Sequence, residues 1–174
     1  MAGRFASALL ACAVAGAPGA VAGCGSHTQG PDDGGMQDAD FVQCADSPAV
    51  DYMPGLTATS LSGAYVATLV SATTDFSDGT SADTAASGLD TWVVTISDAT
   101  AGTPADVTLT AERPFMPKHN HGATTYPTVT AGDPGMFTVS AMNLFMLGYW
   151  SEVLDLQPTS GAADKVTFAI CVRQ

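Results

Sequence analysis

Short stretches in which apolar and polar residues alternate run from Gly63 towards the end of the chain, and they constrain its fold more than any other feature. A β-strand points successive side chains to opposite faces, so a period of two predicts a strand with one buried face. No stretch has the apolar period of a helix. The predicted inward sets are Tyr65, Ala67 and Leu69; Trp92, Val94 and Ile96; Val107 and Leu109; Phe137, Val139 and Ala141; and Val166, Phe168, Ile170 and Val172.

Turn-forming residues separate these stretches, as in AGTPAD from Ala101 and AGDPG from Ala131. Glycine, proline and aspartate favour turns, whereas valine, threonine and aromatic residues favour strands. Six or seven short strands at this spacing predict an all-β fold, an immunoglobulin-like antiparallel β-sandwich.

The segment from Thr73 to Asp90 interrupts the alternation with small, polar and acidic residues. Its aspartates at positions 75, 78 and 83 raise the alternative of a calcium site. Their spacing does not match that of an EF-hand loop, so we predict a solvated loop.

The first 23 residues have the features of a signal peptide. Arg4 is followed by a run of small apolar residues that is too short and too broken by glycine and proline for a membrane span. The run ends in VAGC, which resembles the lipobox of bacterial lipoproteins, where the cysteine, here Cys24, is lipidated and becomes the first mature residue. The alternative is an ordinary signal peptide cleaved nearby.

Residues 24–42 are rich in glycine and aspartate and predict a flexible acidic tether to a folded domain of residues 43–174. After residue 23, four basic and seventeen acidic residues give a net charge of −13, which argues against binding to nucleic acid. Lipidation of Cys24 predicts an exported, membrane-anchored protein facing the periplasm or cell surface. Gly25 stands in place of aspartate, which resembles the default for delivery to the outer membrane.

Two cysteines, Cys44 and Cys171, remain once Cys12 leaves with the signal peptide and Cys24 carries lipid. An even pair outside the cytoplasm predicts a disulfide. The chain-entropy model assigns about 4–5 kcal/mol to closing so long a loop. The alternative, a copper or zinc thiolate site, is disfavoured because no CxxC spacing is present.

The stretch FMPKHNHG, which begins at Phe115, gathers two of the three histidines of the chain. One residue separates His119 from His121, and in extended backbone this spacing sends both rings to the same side. Met116 supplies a thioether after the turn at Pro117, and imidazole with thioether favours Cu(I). Met142 and Met146 lie downstream as further soft donors. In the alternative interpretation, the histidines brace the loop and the methionines fill the core.

Three motifs together resemble the YtkA-like domain, which is related to FixH-type proteins: WVVTISDA from Trp92, PFMPKHNHG from Pro114 and LFMLGYW from Leu144. The resemblance covers about Gly63 to Val172 and implies a small exported β-sandwich linked with copper handling and cytochrome oxidase assembly. It implies metal-binding roles for Met116, His119, His121 and Met146. Asn120 occupies a place that is commonly glycine in the family, and Thr73–Asp90 departs from the family's proline-rich linker.

Two functions are therefore expected. The first is a lipid-anchored protein that binds or transfers copper to a copper protein or an oxidase assembly factor. The second is a structural or protein-interaction lipoprotein without metal. An enzyme is not expected, because no Ser-His-Asp or Cys-His arrangement is legible.

Replacement of Cys24 by serine tests the anchor. The Cys24→Ser protein should lose incorporated lipid and leave the membrane fraction, because the thioether-linked acyl chains are the predicted attachment. Fractionation and intact mass measure this. A variant that stays membrane-bound with an unchanged lipid mass contradicts the lipobox interpretation.

Overall fold

Twelve strands make up the computed structural model, which describes residues 44–173. The predicted signal peptide, the tether and Cys24 lie outside the described residues, as do His27 and Met36. Within the described range no helix is long and apolar enough to cross a bilayer. The strands are β1 (Val50–Asp51), β2 (Leu56–Thr59), β3 (Tyr65–Asp75), β4 (Ser81–Ala82), β5 (Leu89–Asp98), β6 (Val107–Ala111), β7 (Phe115–Met116), β8 (His121–Gly122), β9 (Thr128–Ala131), β10 (Met136–Asn143), β11 (Gly148–Pro158) and β12 (Asp164–Val172).

The strands form two sheets. Sheet I has the order β1-β12-β11-β7-β8, with β6 also paired to β11, and sheet II has the order β2-β3-β5-β10-β9, with β4 paired to β3. All pairs are antiparallel except β1 with β12, which is parallel. The predicted class, an all-β sandwich of mainly antiparallel strands, is confirmed.

The inner faces of the two sheets form one hydrophobic core. Trp92 of β5 meets Phe168 of β12 edge to face, with ring centroids 6.0 Å apart. The predicted inward residues of β5 and β12 are all buried, while Tyr65 and Val107, at the first positions of their strands, are half-buried. Alternation therefore located the core correctly along these strands.

The prediction that Ala141 faces inward is wrong. The pairing of β10 with β5 shifts between Val139 and Met142, and Ala141 adopts a positive φ of 61° at this bulge. A bulge inserts one residue and reverses the alternation beyond it. Met142 is therefore the buried residue, and it belongs to the hydrophobic core.

The segment Thr73–Asp90 is only in part the solvated loop that its composition predicts. Its first residues continue β3, its last begin β5, and Asp90 is fully buried. The Thr74 hydroxyl lies 2.9 Å from Asp90 Oδ1, and the Ala86 amide donates to Thr74 Oγ1 at 2.9 Å. Burial raises the pKa of Asp90 to about 7. A small polar network thus holds this connection against the core.

The disulfide between Cys44 and Cys171 is present, with Cα atoms 5.9 Å apart. The side chains of Cys171 and its neighbour Ile170 point to opposite faces of sheet I, as alternation along β12 requires, and that of Ile170 faces the core. The bridge joins the first described residue to the last strand. It therefore secures β1 beside β12 at the edge of sheet I.

Removal of this bridge should destabilise the domain. We expect Cys44→Ala combined with Cys171→Ala to lower the free energy of unfolding by about 2–5 kcal/mol, because the unfolded chain loses its longest constraint. Urea denaturation measures the change. Alkylation of both cysteines in the unreduced, denatured protein would show that the bridge does not form.

Candidate functional site

The histidine stretch forms a tight hairpin at the edge of sheet I, in which β7 and β8 are joined by residues 117–120. The His119 amide donates to the Met116 carbonyl at 3.1 Å and closes the turn. Asn120 has a φ of 53°, a left-handed conformation that asparagine and glycine tolerate better than other residues. The backbone here is a turn, so the extended spacing predicted for His119 and His121 is wrong.

The two histidine rings are nevertheless neighbours. Their centroids lie 5.8 Å apart, with planes inclined by 49°. His119 lies in the exposed turn, whereas His121 lies in β8 and is half-buried. Lys118, between Pro117 and His119, donates from Nζ to the Ala45 carbonyl at 2.6 Å, which ties the turn to the segment that follows Cys44. The turn and the disulfide are therefore linked in space.

Met116 lies before the turn and not beyond it. It pairs directly with His121 across the hairpin, and directly opposed residues project to the same face of an antiparallel pair. That face is the inner one, since the Met116 side chain is fully buried. The hairpin therefore places a buried methionine of the core directly across from His121.

Aromatic rings surround His121 on its other sides. Phe145 stacks on it at a centroid distance of 5.8 Å and an angle of 22°, and Trp150 meets it edge to face at 6.4 Å. Phe145 and Trp150 also contact each other at 5.6 Å. Trp150 is buried, while Phe145 is partly exposed. The imidazole of His121 thus lies in an aromatic pocket that opens towards His119.

Met146 lies in the connection between β10 and β11 and packs partly buried against the core. Its carbonyl accepts a hydrogen bond of 2.8 Å from Trp150 Nε1. Trp150 therefore joins the Met146 segment to the ring cluster around His121. Met116, His119 and His121 are brought together directly, and Met146 is connected to them through Trp150 and Phe145.

The donor set suits a soft metal ion better than a hard one. Among the described residues, no three or more histidine, cysteine, aspartate or glutamate side chains are grouped to hold a metal. What the hairpin assembles is two imidazoles beside a thioether, which is the chemistry that Cu(I) prefers. On donor chemistry, a copper ion fits these residues.

Sequence reasoning missed Glu152, which lies on the inner face of β11 between Trp150 and Leu154. Its side chain is almost fully buried, and neither carboxyl oxygen has a hydrogen-bond partner among the described residues. Burial, with a smaller contribution from Glu112, raises the pKa of Glu152 to about 9. The strict alternation of β11 placed this position inward, and that was the signal available in the sequence.

No family model, curated protein or solved structure matches this chain. The likeness to the YtkA-like domain stays a prediction.

The two buried acids should make the domain less stable as the pH rises. A folded-state pKa above the unfolded value adds stability that is complete below the unfolded pKa and is lost as the pH passes the folded pKa. The relevant windows are about 4 to 7 for Asp90 and about 4.5 to 9 for Glu152. Urea denaturation between pH 5 and pH 9 should show the decline, at most about 1.4 kcal/mol per pH unit for each group.

Glu152→Gln provides the matched control, because the amide has a similar shape and no charge at any of these pH values. The variant should lose part of the decline between pH 7 and pH 9, where Asp90 contributes little. An unchanged slope in Glu152→Gln would show that the decline comes from overall charge repulsion and not from this carboxyl group.

Proposed function

We propose that the domain binds Cu(I) through the hairpin, with His119, His121 and Met116 as principal ligands and Met146 as an additional thioether. The observation that carries the proposal is the pairing of Met116 with His121, while the His119 ring lies 5.8 Å from the His121 ring. Three soft or intermediate donors thus come from the six residues 116–121 at the edge of sheet I. The bound ion would be held as Cu(I), which thioether donors favour.

The surroundings of His121 support this assignment. Phe145 and Trp150 restrict the imidazole to one orientation, and the buried Met116 side chain lies on the same inner face. A ligand whose ring is held in place loses less conformational entropy when it binds a metal. The same rings exclude water from one side of the site. The exposed turn with His119 leaves the opposite side open for a metal to enter or leave.

Transfer of copper is the physiological role that we propose for such a site. An exposed histidine at the rim and a buried methionine at the base would allow a partner's ligands to approach from the side of His119. With the predicted lipid at Cys24 and the tether of residues 24–42, the domain would act near a membrane, where a copper protein or an oxidase assembly factor is the proposed partner.

A second candidate function is a non-catalytic interaction or structural module without metal. The packing of His121 between Phe145 and Trp150 favours it, since a ring in such contacts contributes to stability whether or not it binds an ion. Replacement of His121 by phenylalanine distinguishes the two candidates, because it keeps the ring contacts and removes the nitrogen donors.

Titration of the purified protein with Cu(I) against a chromogenic chelator tests the proposal. We expect one Cu(I) per chain, with weaker binding at acid pH because protonated imidazole cannot donate a lone pair. His119→Ala with His121→Ala should abolish binding. His121→Phe should also abolish it while preserving thermal stability, because phenylalanine maintains the ring contacts. Met116→Leu should weaken binding and retain the fold, because the two side chains have similar volumes.

Met53→Leu is the matched control, because Met53 is an exposed methionine outside the hairpin. It should bind Cu(I) as the wild type does, and so should His27→Ala. The copper proposal is wrong if the wild-type protein takes no Cu(I) from a modest chelator. In that case a loss of stability in metal-free His121→Ala, restored by His121→Phe, would favour the structural module.

A further inference from the structure

Arg113 lies on the outer face of sheet I, on the opposite side of the hairpin from Met116. Its guanidinium group lies over the Tyr126 ring, with Cζ 5.7 Å from the ring centroid. The Arg113 side chain reaches this position by crossing β8 at Gly122. A Cβ atom at residue 122 would lie 2.8 Å from Arg113 Nε and 3.0 Å from the Pro114 carbonyl oxygen. Glycine at this position is therefore what allows Arg113 to lie across the strand.

Arg113 differs from Lys165 and Arg173 in its electrostatic surroundings. Lys165 contacts Glu112 at 2.5 Å and Asp155 at 2.9 Å, and Arg173 contacts Asp51 at 2.6 Å. Glu112, the nearest acidic residue in the sequence, pairs with Lys165, and no ion pair among residues 44–173 engages Arg113, so its guanidinium group is available to an external anion.

Two exposed aromatic residues flank this guanidinium group. Phe115 is 38% exposed and Tyr126 is 71% exposed, and both line an open groove of about 510 Å³ together with Ala111, Glu112 and Arg113. Tyrosine, phenylalanine and arginine are the residue types that concentrate binding energy at protein interfaces. Large aromatic rings left in water beside an oriented cation are typical of a surface that a partner covers.

We infer that this groove, lined by Arg113, Phe115 and Tyr126, docks a short acidic segment of a partner protein that carries an apolar side chain next to a carboxylate. The planar guanidinium group matches a carboxylate through two parallel hydrogen bonds. The rings of Phe115 and Tyr126 supply apolar area for the neighbouring side chain. This surface does not depend on copper, because it lies on the face of the hairpin opposite the proposed metal ligands.

Charge distinguishes this occupant from an anionic membrane. A lipid surface would face the whole domain, whose thirteen acidic residues exceed its four basic residues between positions 44 and 173, and would repel it. A short peptide segment brings its few charges close to Arg113 alone. The groove is also local, so it fits a side chain and its neighbours better than an extended array of head groups.

Nuclear magnetic resonance of the isotope-labelled protein tests the inference with a defined probe. The probe is a capped pentapeptide that alternates glutamate with phenylalanine, and its control replaces each glutamate by glutamine. We expect saturable shifts of the Arg113 Nε–H and of the amides of Phe115, Gly122 and Tyr126 with the acidic peptide. Arg113→Gln should weaken binding about tenfold or more, since a charge-assisted hydrogen bond is removed. Arg113→Lys should give an intermediate loss, because lysine retains the charge without the planar fork.

Arg173→Gln is the matched control for charge, because it removes one cation whose partner, Asp51, is not among the groove residues. It should not weaken the peptide's binding by the same factor as Arg113→Gln. The inference is overturned if the glutamine peptide binds equally well, if Arg113→Gln binds as the wild type does, or if no saturable shift occurs. Arg113-dependent binding to phosphatidylglycerol vesicles without peptide binding would also overturn it and assign the surface to lipid.

Discussion

The packing of the two inner sheet faces against each other is the interaction on which every other feature depends. Trp92 from sheet II and Phe168 from sheet I meet edge to face near the centre of this core. Aromatic side chains of this size bury more apolar surface than any other residue and so fix the distance and rotation between the sheets. Because β11 lies beside β12 in sheet I, this contact also fixes where Trp150 and the hairpin lie.

Two carboxylic acid side chains, those of Asp90 and Glu152, are buried within this apolar packing. Burying an ionised carboxylate without a partner is unfavourable. Each of these carboxyl groups therefore retains its proton to a higher pH, and the folded domain is more stable at acidic pH. Asp90 and Glu152 differ in how they are accommodated. Asp90 takes part in a network with Thr74 and Ala86, which stabilises the connection before β5. No contact among the described residues satisfies the Glu152 carboxyl group, so its presence lowers the stability of a well-packed strand.

Alternation predicted β3, β5, β6, β10 and β12, and the cysteine count predicted the disulfide, whereas β11 was not predicted as a strand. Alternation along β5 and β12 identified the buried residues, and the two cysteines of a domain predicted to be exported left one pairing to consider. The sequence did not predict the bulge at Ala141, because alanine has no evident preference for a positive φ and the shift in register is imposed by the pairing of β10 with β5. It predicted the nearness of His119 to His121 for the wrong reason, since a turn and not an extended strand brings the rings together.

The ring contacts of His121 and the path of the Arg113 side chain could not be predicted from the sequence, for a related reason. Both depend on residues distant along the chain: Phe145 and Trp150 come from the β10–β11 region, and Tyr126 follows β8. Spacing within FMPKHNHG gives no measure of such neighbours. Gly122 carried a partial signal, because a glycine within a strand often marks a close approach of another group.

The two faces of β7 differ in their surroundings. Met116 points inwards to His121, whereas Phe115 points outwards into the groove beside Arg113. Successive residues of a strand project to opposite faces, so the two side chains share a backbone without sharing an environment. β7 is also held on both sides, by Ser151 of β11 and by β8. Under the two proposals, a partner seated in the outer groove would hold the hairpin in place without covering the exposed turn that carries His119, so one partner could dock and exchange metal at the same time.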